Sequence, residues 1–246
     1  MNVPSRYDFD FAIAGGGPAG SSAAISLAQR GHKVVLLERE RFPRFHIGES
    51  LLASTAEALE NLGLIEKIEA ASFPEKWGAR LITSDGAAGR GVDFTAVREI
   101  MRGQTWQVDR AEFDRILLQH ARALGVDVRE EHRVISCEFS SEAAAIEFET
   151  GSGERGNVRV RALVDASGRA GLMARKFDLR NDEPRLANIA IFAHYTGVPR
   201  LPDNRPDDIR LIACADAGWF WLIPISKDLM SVGVVFPKTL YTGLPQ

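Results

Sequence analysis

Cysteine is scarce in this chain. Cys137 and Cys214 are its only two, far apart and outside any metal-ligand interval, which argues against a disulfide framework and against a zinc site. The five histidines are scattered, so no metal centre is expected. There is no surplus of positive charge. A net charge of −3 leaves no electrostatic footprint for nucleic acid. Long apolar runs are missing too, and none approaches the roughly 20 residues that span a bilayer. The first, Phe9–Ala14, follows Asp8, contains Asp10 and stops at three glycines, unlike a secretory signal with a basic start. Together these absences predict a soluble, cytoplasmic protein with no membrane and no nucleic-acid partner. Repeats and low-complexity tracts are also absent. At 246 residues, 45% of them hydrophobic, the chain can bury a sizeable core in one or two domains.

What is present begins with a strand, a glycine turn, a helix and a second strand. Phe9, Ala12 and Ile13 make the first strand, and Gly15-Gly16-Gly17-Pro18-Ala19-Gly20 breaks it. Ala19, Ala23, Ala24, Leu27 and Ala28 recur at helical spacing up to Gly31. Val34–Leu37 reads as a buried strand closed by Glu38. A loop over 39–50 follows, with Ser50 as the expected cap of a helix bearing Leu51, Leu52, Leu59 and Leu62. Residues 79–108 read as short strands with a turn at Asp85-Gly86. A helix then carries Phe113, Ile116, Leu117, Ala121 and Leu124 on one face. Strands are expected at 132–139, 144–149 and 158–164, then a short helix near 170–177. Four more strands are expected near 186–196, 209–215, 217–225 and 229–236.

Gly15, Gly17 and Gly20 fit the G-x-G-x-x-G spacing of a dinucleotide site. The first permits the tight turn, the second lets backbone approach a pyrophosphate, and the third lets helix pack on strand. The helix N-terminus, with Ala19 in its first turn, then faces the phosphates with partial positive charge. Glu38 lies 18 residues beyond Gly20 at a strand end, where a carboxylate can accept hydrogen bonds from ribose hydroxyls, and Arg39 stands beside it. The spacing does not separate FAD from NAD.

Five further segments resemble flavin-dependent halogenases and the wider FAD-dependent monooxygenase superfamily. Phe42-Pro43-Arg44-Phe45-His46-Ile47-Gly48-Glu49-Ser50-Leu51-Leu52 resembles the loop after the family's second strand. Phe73-Pro74-Glu75-Lys76-Trp77-Gly78-Ala79 is similar to the lysine-bearing segment of halogenases acting on phenols and pyrroles. Gln107-Val108-Asp109-Arg110-Ala111-Glu112-Phe113-Asp114 resembles the helix entry whose arginine lies beside the cofactor. Val164-Asp165-Ala166-Ser167-Gly168-Arg169 is similar to the second flavin motif, and Trp219-Phe220-Trp221-Leu222-Ile223-Pro224 fits W-x-W-x-I-P.

The resemblance implies FAD as cofactor and an electron-rich aromatic substrate, free or carrier-bound. It also implies a halide and, if the enzyme uses free reduced flavin, a separate flavin reductase. In the family's chemistry a flavin hydroperoxide yields hypohalous acid, which a lysine amine holds or captures, so Lys76 is the candidate catalytic residue. A solvated surface lysine is the ordinary alternative. Cofactor contacts are expected from Arg44, Gly48, Glu49, Ser50, Arg110 and Asp165. For Asp165 an ordinary strand-ending turn is the alternative. Asp109, Glu112 and Asp114 read as a solvated helix start. Trp219 and Trp221 alternate on one strand face, either as a wall between flavin and substrate or as packed core.

The expected architecture is α/β: a Rossmann-type FAD-binding domain with an inserted β-rich substrate region. The FAD-binding part is expected over 1–78 and 104–180, the β-rich part over 79–103 and 181–246. The family's later Gly-Asp motif is absent, so the chain is expected to be truncated at its C-terminus. The rival readings are an aromatic hydroxylase, a geranylgeranyl-reductase-like enzyme and a catalytically silent fragment. Geranylgeranyl reductases typically carry a cysteine-glycine pair where this chain has Gly48-Glu49-Ser50.

Overall fold

A computed structural model describes residues 6–87, 89, 91–97, 103–200, 204–215 and 218–241. The chain runs β1 (Phe9–Ala14), α1 (Pro18–Gln29), β2 (Val34–Leu37), α2 (Ala53–Asn61), α3 (Ile65–Ala70), β3 (Glu75–Lys76), β4 (Gly78–Ile82), β5 (Val92–Asp93) and β6 (Thr105–Trp106). It continues through α4 (Arg110–Ala123), β7 (Asp127–Arg129), β8 (His132–Phe139), β9 (Ala144–Thr150), β10 (Arg155–Asp165) and α5 (Leu172–Lys176). The last elements are β11 (Asn188–Thr196), β12 (Ile209–Ala213), β13 (Trp219–Pro224), β14 (Leu229–Pro237) and α6 (Lys238–Tyr241). The parts of the expected strands that fall on 88, 90, 98–102 and 217 lie outside the described residues.

Two compact units divide the chain. The first takes residues up to His46 and from Arg110 to Arg180; the second takes Ile47 to Asp109 and Asn181 onward. The sequence reading placed its crossings at 78/79, 103/104 and 180/181. Residues 47–78 and 104–109 are tied together inside the second unit by the β3–β6 pair and by a bridge between Ser50 and Gln107.

In the first unit a six-stranded sheet has the order β7-β2-β1-β10-β9-β8. β1 runs parallel to both β2 and β10, whereas β9 and β8 add antiparallel. All four residues of β2 are buried, which suits a parallel strand covered on both faces and explains its unbroken Val-Val-Leu-Leu run. β10 is long because it serves two halves of the sheet. Residues 155–160 pair with β9 and 160–165 with β1. The core here gathers Ala12, Val35, Leu37, Cys137, Ile146, Phe148, Val158 and Val160. Helix α1 opens with Pro18, which lacks the N–H that a first helical residue leaves unpaired anyway. It packs beside α4, whose buried face holds Phe113, Ile116, Leu117, Leu118 and Ala121. Leu124 falls just past the helix end and is exposed.

In the second unit the order is β11-β14-β13-β12-β4-β5, with the β3–β6 ladder separate. Trp221, Ile223 and Ile225 form its core, with Ile209, Leu211, Leu229 and Val235 against them. Trp221 stacks on Phe192 and donates from Nε1 to Ser231 Oγ at 3.1 Å. Its ring occupies the space a side chain at Gly233 would need, for a Cβ there would fall 2.2 Å from the indole. Trp219, one turn of the pleat away, is 40% exposed. Trp221 is thus packed core, and Trp219 is not. Among the described residues no helix is long and apolar enough to cross a membrane.

Candidate functional site

The glycine turn separates into two jobs. A Cβ on Gly15, whose φ is +107°, would meet Ala166 O at 2.5 Å, and one on Gly20 would meet Gly15 O at 1.8 Å. Those two glycines are required by the chain's own backbone. A Cβ on Gly17 would have a single neighbour within 4 Å, Arg44 Nη2 at 3.5 Å. Gly17 also caps α1 without a side-chain bond, so no side chain takes up the amides of the helix's first turn, in which Ala19 and Gly20 lie.

Glu38 is buried, and both of its oxygens are engaged. Gly16 N–H donates to Oε2 at 2.6 Å and Glu40 N–H to Oε1 at 2.8 Å. A carboxylate has about four acceptor positions, so two remain. Arg39 is exposed and only loosely paired with Glu40, at 3.8 Å. It shares a cavity of about 770 Å³ with Arg169, Arg175, Arg180 and the 168–171 turn. Asp165 shapes that turn: Ser167 N–H donates to Oδ1 at 3.0 Å and Met173 N–H to Oδ2 at 2.7 Å. Partial burial works to raise its pKa, but the bonds from Ser167 and Met173 prevail and hold it below the usual carboxylate value.

Asp114 corrects the reading of a solvated helix start. It is fully buried, and it is the anchor for two of the expected site residues. Arg110 binds it in a fork, Nε to Oδ1 at 2.8 Å and Nη2 to Oδ2 at 3.0 Å, while Arg44 Nη1 reaches Oδ2 at 3.0 Å. Arg44 also meets Glu40 at 3.0 Å. The Arg110–Asp114 spacing of four was visible in sequence; the third partner, 70 residues away, was not.

In the second unit Ser50 does not cap a helix. It bridges Gln107 in extended conformation, and Leu51 N–H donates to Trp106 O at 3.1 Å. Helix α2 starts only at Ala53, with Leu52 as its cap. Gly48 has φ +112°, a left-handed backbone that favours glycine. Glu49 is 3% exposed, with Oε1 3.3 Å from His194 Nε2. His194 had no place in the sequence reading.

Lys76 is not a surface lysine. It is 3% exposed, Nζ donates to Leu51 O at 2.6 Å, and the amine lies 5.2 Å from the centre of the Phe94 ring. Burial lowers its pKa to about 8, against the opposing pull of Asp208. Asp208 is itself buried; Trp77 N–H donates to its Oδ1 at 2.7 Å. Arg80 Nε stands 3.2 Å from Oδ2 as an ion pair, outside hydrogen-bond geometry. Such an amine can lose its proton near neutral pH and act as a nucleophile or a hydrogen-bond acceptor.

Residues 8–240 match the family described as FAD binding domain. The chain belongs to the FAD binding domain family. FAD is therefore its cofactor, and the resemblance to flavin-dependent halogenases and the α/β fold read from sequence are borne out. A 1H-pyrrole-2-carbonyl-[peptidyl-carrier protein] chlorinase of Pseudomonas fluorescens is 36% identical over 97% of this chain and 58% of its own length. The solved structure of the myxobacterial chondrochloren halogenase superposes with a TM-score of 0.83 at 36% identity, over 95% of this chain and 54% of that one. A flavoprotein/dehydrogenase of Cytophaga hutchinsonii superposes at 0.89 with 30% identity, over 97% and 58%. The chain spans about half the length of the curated relatives it matches.

Proposed function

We propose that the chain is the part of a flavin-dependent, halogenase-like monooxygenase that carries FAD in its first unit and a substrate-handling lysine, Lys76, in its β-rich second unit. The buried amine of Lys76 carries this reading, because burying a lysine costs the fold stability, and groups with pKa values shifted by burial cluster at functional sites.

The residues fit the cofactor. The space over Gly17 and the first amides of α1 suits a pyrophosphate, and Glu38 keeps two acceptor positions for ribose hydroxyls. Arg39 and the arginines around the 168–171 turn supply positive charge near the same strand ends. Arg44 and Arg110, fixed by Asp114, hold the loop after β2 in place. Gly48, Glu49 and Ser50 form the segment we assign to the flavin ring, and Asp165 acts through the turn it shapes. When bound, the flavin supplies activation of dioxygen. Lys76 then offers its amine to hypohalous acid, either as a hydrogen-bond partner or by exchanging a proton for the halogen with release of water. The substrate is an electron-rich aromatic, free or carrier-bound; the Pseudomonas relative is named for a carrier-bound pyrrole. A halide and a separate flavin reductase complete the partners. The two free cysteines suit a reducing, cytoplasmic compartment.

The test uses a full-length parent carrying this chain, supplies reduced FAD, oxygen, chloride or bromide, and a panel of phenols, pyrroles and indoles, and follows halogenated product and hydrogen peroxide together. Lys76→Ala is expected to abolish halogenation and leave FAD binding and peroxide release. Undiminished halogenation in that variant removes Lys76 from the chemistry, and halide-independent hydroxylated product makes the protein an aromatic hydroxylase.

A further inference from the structure

Three short extended segments lie side by side in the second unit. Residues 105–107 form the middle one. Lys76 stands directly opposite Thr105 on one side, and Ser50 stands opposite Gln107 on the other. Directly opposed residues of an antiparallel pair project to the same face, and so do residues two apart on a strand. Ser50, Lys76, Thr105 and Gln107 therefore share one face. The Lys76 side chain crosses that face, since its amine reaches Leu51 O on the far segment.

Thr105 and Gln107 are completely buried. Thr105 Oγ1, Gln107 Oε1 and Ser50 Oγ nevertheless have no hydrogen-bond partner among the described residues, although Gln107 Nε2 donates to Asp207 O at 2.9 Å. A buried polar atom left unpaired forfeits its hydration with nothing in return. Three on one face, beside an amine with two N–H groups beyond the one given to Leu51, match the two to four polar contacts that hold an internal water.

We infer that Thr105 is a positioning residue for Lys76: its hydroxyl anchors a buried water that bonds the amine and fixes where its lone pair points. Ser50 and Gln107 extend the same polar row and hold the water's remaining bonds. This deepens the reading of Lys76 as the reactive amine, but its test needs neither flavin nor halide. Asp208, the charged group that acts on the amine, and the two arginines that contact it, Arg80 by an ion pair and Arg210 by donating to Asp208 O at 3.0 Å, are unchanged in the variants.

The chain has six lysines, so selective 13Cε-lysine labelling gives a short set of NMR signals, and Lys76→Met identifies the one that matters. Its titration is followed in the wild type, Thr105→Val and Thr105→Ser. A water that accepts a hydrogen bond from the ammonium favours the charged form. Its loss in Thr105→Val is expected to lower the Lys76 midpoint by about one pH unit, roughly tenfold in proton affinity, while Thr105→Ser stays near the wild type. Thr105→Cys, a weak hydrogen-bonding near-isostere, gives the same fall if the valine variant does not fold. An unchanged midpoint in the valine or cysteine variant overturns the inference. Halogenation by Lys76→Ala decides the parent reading separately, whichever way the titration falls.

Discussion

Replacing Asp114 with alanine should be among the most damaging single changes in the first unit. The carboxylate is fully buried and receives three charge-assisted bonds, two from Arg110 and one from Arg44, all at 2.8–3.0 Å. The two arginine side chains are only 10% and 12% exposed, so neither can hydrate fully once the anion is gone. Removing one partner of a buried ion pair costs about 3–5 kcal/mol. Glu40 still reaches Arg44 but is nearly half exposed, so it recovers little of that. At about 2–4 °C per kcal/mol for a chain of this size, the unfolding midpoint should fall by roughly 10 °C. Asp114→Asn keeps the shape and one acceptor and should lose less. The control is Glu112→Ala, which removes an exposed pair with Arg115 on the same helix and should cost less than about 1 kcal/mol. Thermal and urea unfolding followed by circular dichroism measure all three. If Asp114→Ala costs no more than Glu112→Ala, the buried network has been misread.

Gly17→Val should abolish FAD uptake, measured by flavin absorbance, with the apo melting temperature nearly unchanged. Gly20→Ala should instead destabilise the fold itself, because its Cβ lands on Gly15 O; equal melting points for the two would refute the division of labour. Lys76 has a folded pKa of about 8 against 10.5 unfolded, so the folded state holds fewer protons between those values. Wild type should gain stability on Lys76→Met as pH rises across that window, by up to about 3 kcal/mol, with no change below it; a flat difference would mean the amine is hydrated. Gly233→Ala should cost about 1–3 kcal/mol by overpacking against Trp221 and shift the tryptophan emission, and an unaltered spectrum with unaltered stability would contradict the packing.

Features that depend on neighbours in sequence were legible before the structure. Gly15 and Gly20 announce a turn whose requirements are local, and the strands at 132–139 and 229–236 follow from runs rich in Val, Ile and Phe. Long-range pairing was not legible. Ser50 looks like a helix cap because it precedes leucines, yet its partner Gln107 lies 57 residues away. The two-residue strands β3 and β6 are too short to leave a period. Asp114 shows only its i,i+4 relation to Arg110, which is indistinguishable from a surface pair until Arg44 is placed. Lys76 could be singled out only through the resemblance of its segment; that it is buried belongs to the tertiary structure.

The central place of β1 has a consequence for how the chain is made. β1 takes β2 as one neighbour early, but its other neighbour is β10, with Phe9 opposite Val160 and Ala14 opposite Asp165. At about 5–20 residues per second on the ribosome, roughly six to twenty-five seconds separate the two. Until then one edge of a strand that ends inside the core is open, and closing so distant a pairing is entropically slow. The glycine turn waits as well: Ala166 N–H donates to Ala14 O, and Ala166 O packs against Gly15. Nascent chains shorter than about 165 residues therefore lack the finished nucleotide cradle, and FAD capture reports completion of the sheet, not emergence of the motif.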